Sequence, residues 1–399
     1  MPSDAPLKPL LLVPRYWPHM GGAEMHTRRL VAEMLELGAR PTVIRICGDH
    51  GRPTDYAYPW TRPERLDDGG VTVIQPGAPR GMRSVLRTLA RLSPKSRLAR
   101  GLYGRLAEIA LLRALGPIAR DYDVVHAVYN GFTPLARAAA RLDKPFIFTP
   151  LAHTHAPEGT AWSSSSLKSL YARADALVAM TEYESDWLAA RGGSGDRYVV
   201  PVAPLLHPER PKPETFRDRH GLPSGPIILF LGRLSESKGY HTLAEAMRHV
   251  WTERPDAQLV FAGPAGRRAR ARLATFDPRL HVVGVLSDAE KNAALAACEL
   301  VAVPSTQESL GVVYLEAWSF AKPVIAANIP VMRSVVSHGV DGLLTDPSPT
   351  PLAHSVLKLM ADPECAAAMG RAGQEKTARR YSWRRAAEDL LDIYAAKRS

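Results

Sequence analysis

Glu308 and Glu316 stand eight residues apart around Ser309-Leu310-Gly311-Val312-Val313-Tyr314-Leu315, a glycine-containing turn that opens a helical pattern. Gly311 lets backbone approach a ligand closely, and the first N–H groups of a helix carry partial positive charge suited to phosphate. Glu308 precedes the helix and Glu316 lies about a turn and a half inside it, so the two carboxylates would meet different parts of an extended ligand. Carboxylates accept from vicinal hydroxyls. A second segment, Gly232-Arg233-Leu234-Ser235-Glu236-Ser237-Lys238-Gly239, carries two cations. Arginine offers a planar fork and lysine a mobile point charge, both suited to phosphate oxygens. Either segment alone would pass for a solvated loop. Together they suit a ligand with hydroxyls at one end and phosphate at the other.

Both segments must be held by strands. Short apolar runs rich in branched residues alternate with helical patterns along the chain, which is the signature of parallel sheets built from βαβ units. In the first half the runs are Leu10–Val13, Thr42–Ile46, Val71–Gln75, Val124–His126, Phe146–Thr149, Ala176–Met180 and Tyr198–Val200. In the second they are Ile227–Leu231, Gln258–Phe261, Leu280–Val283, Leu300–Val303 and Pro323–Ala326, and helical material follows from about Pro363 to Lys397. Thr181-Glu182-Tyr183-Glu184 and Ser287-Asp288-Ala289-Glu290 read as capping boxes. The cationic segment follows Ile227–Leu231 and the glutamate segment follows Leu300–Val303, at the carboxyl strand ends where open α/β sheets bind ligands.

A proline-rich stretch, Pro201 to Pro213, separates the halves and reads as a stiff connector. The expected division is 1–203, 204–380 and a closing helix 381–399. A chain of 399 residues is long enough for two ordinary cores. With 46% hydrophobic and 23% charged residues the composition is globular, and the longest apolar runs are far too short to cross a bilayer. Met1-Pro2-Ser3-Asp4 starts no secretory pattern. The three cysteines, Cys47, Cys298 and Cys365, have neither disulfide-framework nor zinc spacing. A cytoplasmic protein without a bound metal is expected.

At this point the sequence resembles family 4 of the retaining GT-B glycosyltransferases, through the glycine-arginine and lysine-glycine loop combined with E-x7-E. Nearly the whole chain takes part. Pro18-His19-Met20-Gly21-Gly22-Ala23-Glu24-Met25-His26 looks like the family's glycine loop, and Asp123-Val124-Val125-His126, Thr181–Glu184 and Tyr381-Ser382-Trp383 are also family-like. The resemblance implies an α/β GT-B fold: two Rossmann-like domains with a cleft between them and a final helix crossing back to the first. It implies transfer of a hexose-type sugar from a nucleoside-diphosphate sugar to an acceptor hydroxyl, with retention and without metal or other cofactor. His153, Arg233, Lys238 and Glu308 would be catalytic. Gly21, Gly22, Gly232, Arg233, Lys238, Ser309, Leu310, Gly311 and Glu316 would bind the donor. His155 competes with His153, whereas His126 reads as a structural strand-end residue. One departure is Ala327-Asn328-Ile329-Pro330-Val331-Met332-Arg333, where many relatives carry Gly-Gly-x-x-Glu.

The net charge of +11 is concentrated. Between Arg80 and Arg120 ten basic residues face one acid, Glu108, a surplus of nine. Arg83, Arg87 and Arg91 recur every fourth residue with Leu86 and Leu89 on a neighbouring face, a basic amphipathic pattern suited to an anionic membrane surface or a lipid-linked acceptor. Peripheral attachment to the inner face of the membrane is therefore an expectation. Apart from Tyr103 the segment lacks aromatic interleaving, which argues against nucleic acid. Two other readings stay open here: a nucleotide-sugar epimerase on the same fold and a catalytically silent sugar-nucleotide-binding module.

Overall fold

The computed structural model describes residues 5–18, 22–46, 54–129, 131–156, 161–209 and 211–398, so Gly21 and Cys47 lie outside the described residues. The chain forms two compact units. The first comprises residues 1–152, 157–201 and 383–399, the second 153–156 and 202–382.

The first unit contains the strands β1 (Pro9–Val13), β2 (Thr42–Arg45), β3 (Glu64–Asp68), β4 (Val71–Gln75), β5 (Val124–Val128), β6 (Phe146–Thr149), β7 (Ala176–Ala179) and β8 (Asp196–Val199). They form one sheet in the order β3-β4-β2-β1-β5-β6-β7-β8, parallel except for β3 against β4. Because alternate side chains point to opposite faces, Leu10 and Leu12 pack with Tyr103, Ala107 and Leu111 on one side, while Leu11 and Val13 pack with Val31 and Val43 on the other. Strands buried on both faces need continuous apolar runs. β3 is different: Glu64-Arg65-Leu66-Asp67-Asp68 is a largely exposed edge strand, joined to β4 through Gly69 and Gly70, both at positive φ (63° and 90°). Two left-handed residues make the tight turn that matches strand twist.

The final helix, Trp383–Lys397, counts with the first unit and packs on the helix Gly22–Glu36. Its Tyr394 hydroxyl lies 2.5 Å from His126 Nδ1, and His126 Nε2 lies 2.7 Å from Thr149 Oγ1. His126 is buried, and burial pushes its imidazole down to about 3. It is a neutral strut between β5, β6 and the closing helix.

The second unit contains β9 (Ile227–Leu231), β10 (Gln258–Ala262), β11 (Leu280–Gly284), β12 (Leu300–Val303), β13 (Val324–Ala327) and β14 (Gly342–Thr345). All pair in parallel, in the order β11-β10-β9-β12-β13-β14. The order reverses between β9 and β12, which makes their carboxyl ends the switch point of a doubly wound sheet. The stretch after Pro201 is tied to this unit: Lys291 Nζ donates to the Leu205 carbonyl (2.5 Å) and the Asn292 amide to those of His207 and Glu209 (2.9 and 2.8 Å).

The two capping boxes differ. Ser287 and Glu290 exchange both bonds, as the sequence implies. Thr181 accepts from the Glu184 N–H at 3.1 Å, but the Glu184 carboxylate does not return to Thr181; it accepts from the Met180 N–H (2.7 Å) and the Ala152 N–H (2.5 Å). A buried carboxylate found two buried donors elsewhere.

Candidate active site

The loops that follow β9 and β12 lie side by side at the switch point of the second sheet. The Thr306 N–H donates to the Ser237 carbonyl at 2.9 Å, and the Ser305 hydroxyl reaches the same oxygen at 3.3 Å. Gly239 sits at φ 74°, so close to Pro304 that an added Cβ would lie 2.6 Å from the Pro304 carbonyl oxygen. Only glycine allows that approach. Gly232 leaves β9 at φ 142° and donates to the Ala262 carbonyl. Lys238 is thereby carried to Glu308, with Nζ 2.6 Å from Oε1. Arg233 is exposed and forms no ion pair among the described residues.

Gly311 caps the helix Val312–Ser319 at φ 76°, with the Tyr314 ring 2.6–2.7 Å from where a Cβ would stand. Tyr314 is locked in turn by donating to the Val303 carbonyl at 2.6 Å. Leu310 is buried and Ser309 half-buried beside it. Glu316 pairs with Lys291, Nζ to Oε1 2.7 Å, from the helix Asp288–Ala297. Glu316 sits on the buried side of its helix, and that neighbouring helix is what it meets. Burial raises its carboxyl above the ordinary range, and the Lys291 charge opposes the rise.

His153 belongs with the second unit by its contacts, although it follows β6 of the first sheet. Burial lowers its imidazole below the ordinary value, Lys238 adds to that, and Glu308 and a hydrogen bond with Gln307 counteract it. His153 therefore shares surroundings with the Lys238–Glu308 pair, whereas His155 is exposed. Thr154 has a buried hydroxyl with no partner among the described residues. Buried hydroxyls are ordinarily satisfied, so this one has capacity for a ligand. Gly22 is exposed at the start of its helix in the first unit. Among the described residues no group of three or more His, Cys, Asp or Glu could hold a metal ion.

Lys291, Gln307 and Thr154 escape a reading of the sequence. Nothing in its spacing links Lys291 to Glu316. Thr154 and Gln307 each adjoin a residue that spacing does single out, and that adjacency is the only signal. Within the departure at Ala327–Arg333, Pro330–Arg333 form a short helix whose Met332 Sδ lies 3.4 Å from the notional Gly311 Cβ, so it backs the glycine turn with apolar bulk.

Residues 212–376 match the family model described as glycosyl transferases group 1, and residues 21–203 match the glycosyl transferase 4-like domain. A D-inositol 3-phosphate glycosyltransferase of Xylanimonas cellulosilytica is 34% identical over 310 residues, covering 69% of this chain and 72% of the relative. The chain belongs to the group 1 glycosyltransferases. An alpha-D-kanosaminyltransferase of Streptomyces kanamyceticus is 30% identical over 45% of the chain and 47% of its own length. Among solved structures, sucrose-phosphate synthase from Thermosynechococcus elongatus superposes with a TM-score of 0.74 at 19% identity, covering 98% of each chain. HepE of Anabaena, in complex with UDP-glucose, gives 0.74 at 19% identity over 98% of this chain and all of its own. These likenesses show the fold: two Rossmann-like domains in the GT-B arrangement. For a glycosyltransferase of this family, the transferase reading is favoured over the epimerase and the silent binding module.

Proposed function

We propose that the protein moves a hexose-type sugar from a nucleoside-diphosphate sugar to an acceptor hydroxyl, with retention at the anomeric carbon. One observation carries the reading: the two loops at the β9–β12 switch point are stitched together and bring Lys238, Glu308 and the Gly311 helix start into one place. The solved relative that carries UDP-glucose has the same fold, which supports a nucleotide-sugar donor.

Lys238 and Arg233 neutralise the charge that grows on the leaving diphosphate, a contribution made mainly in the transition state. Glu308 holds Lys238 in place until the diphosphate arrives and then positions sugar hydroxyls, together with the Ser309–Gly311 backbone. Glu316, steadied by Lys291, accepts from the ribose hydroxyls. His153 is neutral at physiological pH and donates to the sugar being transferred. With cations supplying the neutralisation, the reaction needs no metal ion.

A peripheral membrane site is a second part of this reading. Leu98 (74% exposed) and Leu102 (44%) stand among the arginines of the helix Arg97–Ala119. The triplet singled out in the sequence behaves otherwise. Arg83 donates to the Ala78 carbonyl, Arg87 to that of Pro59, and the Arg87 and Arg91 guanidiniums lie 5.8 and 5.9 Å from the Trp60 ring. These contacts tie Arg83 and Arg87 to the protein, while Arg91 remains exposed. No helix among the described residues is long and apolar enough to cross a membrane. Co-sedimentation with anionic vesicles should weaken when Leu98 and Leu102 are changed to serine; equal binding would remove the membrane from the account.

The test of the reaction is a thermal-shift panel of UDP-, GDP- and ADP-sugars, because a ligand of the folded state raises its apparent stability. The best donor is then turned over and the product's anomeric configuration read by NMR. One donor class should shift the protein and its product should keep the donor's configuration. No shift by any donor, or inversion, overturns the proposal.

A further inference from the structure

The first unit contains a cavity of about 400 Å³ that the donor site does not use. Its size falls in the range of small-molecule sites, about 300–1,000 Å³. Three arginines line it, Arg100, Arg105 and Arg137, with no acid among the lining residues. Two of the three guanidiniums are held in place. Arg137 Nε lies 2.8 Å from Oε2 of Glu108, which is 3% exposed, and Arg100 donates through Nε and a terminal nitrogen to the Ser93 carbonyl at 3.3 and 3.2 Å. Arg105 has no ion-pair or hydrogen-bond partner among the described residues.

A second observation also points to an occupant. Gly101 and Gly104 line the cavity from within the helix Arg97–Ala119, and a Cβ on either would meet nothing within 4 Å. Neither has a positive φ, so neither backbone conformation nor packing requires glycine. Glycine in a helix interior is unfavourable by about 1 kcal/mol relative to alanine. Two such residues, with open space in front of them, keep the mouth of the cavity wide. The lining also sets the hydroxyls of Thr133, bonded to Tyr129, and Ser164, which caps the Leu167 N–H, beside the Tyr56 and Tyr103 rings, whose centroids are 5.7 Å apart. Hydroxyls suit a polyol, aromatic faces suit its C–H surface, and the arginine fork suits phosphate oxygens.

We propose that this cavity binds a phosphate ester carried on a sugar or cyclic polyol. The proposal stands on the cavity and does not depend on the transferase reading, and binding is measured with no nucleotide sugar present.

Glucose 6-phosphate, glucose and inorganic phosphate are titrated calorimetrically into the full chain, and vesicles of phosphatidylcholine with or without phosphatidylinositol phosphate are tested in parallel. The phosphorylated sugar should bind, glucose should not, and added salt should weaken the binding. Arg105→Ala should lower the affinity about tenfold or more, as loss of a charge-assisted contact does, and Arg105→Lys should restore part of it. Arg105 is exposed and partnerless, so its removal leaves the fold intact, which circular dichroism checks. Gly104→Ala and Gly104→Leu should both weaken binding, while Gly104→Ala raises the melting temperature. That opposition separates a ligand site from a packing defect. Capture by phosphoinositide vesicles alone, abolished in Arg105→Ala, supports the same site with a lipid-borne ester. Equal binding of glucose and its phosphate, no binding of any probe, or an Arg105→Ala variant that binds as the parent does overturns the proposal.

Discussion

Glu184 should make the protein lose stability as the pH rises from weakly acid to neutral. Its carboxyl is buried, and burial pushes it up to about 7 from an ordinary 4.5, even though the Met180 and Ala152 N–H groups stabilise the anion. An acid whose folded value is raised favours folding while protonated. Its contribution is complete below the unfolded value near 4.5 and is lost as pH climbs through 7. A rise of about 2.5 units at 1.36 kcal/mol each gives a loss of roughly 3 kcal/mol across that window. Glu184→Gln keeps the shape but cannot titrate, and its amide NH2 cannot accept the second backbone N–H. It should therefore lose about 1–3 kcal/mol at acid pH, where the parent carboxyl is protonated. Urea unfolding of both proteins at pH 5, 6, 7 and 8 reads the difference directly. The parent's advantage should shrink by roughly 3 kcal/mol from the acid to the neutral end. A difference that stays constant, or grows with pH, would refute the reasoning. Glu184 holds Ala152, the residue before His153, so the same titration is worth following in turnover.

Gly311→Ala puts a Cβ into the Tyr314 ring at positive φ, so it should destabilise the protein by about 1–3 kcal/mol and weaken donor binding; a neutral thermal melt would contradict the turn geometry. His126, pushed down to about 3 by burial, must stay neutral in the fold, so stability contributed at neutral pH is lost as pH falls from 6.5 toward 3. Relative to the parent, His126→Gln should therefore look better at pH 4 than at pH 7, and parallel acid unfolding curves would count against it. Lys291→Met leaves the Glu316 carboxylate buried without its cation, which should cost up to about 3–5 kcal/mol. The same substitution with Glu316→Gln should recover much of that loss, as a double-mutant cycle would show.

Both Rossmann-like sheets were legible because strands covered on both faces must be runs such as Ile227–Leu231 and Leu300–Val303. β3 was not, since Glu64–Asp68 is an edge strand that buries little; its one signal was the Gly69-Gly70 turn. β14 is a four-residue strand beginning at glycine and has the same weakness. At the site, Arg233, Lys238, Glu308 and Gly311 could be singled out because each follows a strand directly. The Lys291–Glu316 pair could not, because it joins two helices through tertiary packing. Glu184 resembles a capping-box residue by spacing alone, yet the donors on Met180 and Ala152 compete for its carboxylate and win. The arginines of the helix Arg80–Leu92 have the period of a solvated basic face, but Trp60 and nearby carbonyls engage them, which only the folded chain brings within reach.

The central claim is that Lys238, held by Glu308, and Glu316, held by Lys291, form one donor site at the β9–β12 switch point. Calorimetric titration of the best-shifting nucleotide sugar into the parent, Lys238→Ala and Glu316→Ala tests it most directly. Each variant should lose about tenfold or more in affinity, since each removes a hydrogen bond involving a charged group. Binding at parental affinity by both variants would contradict it.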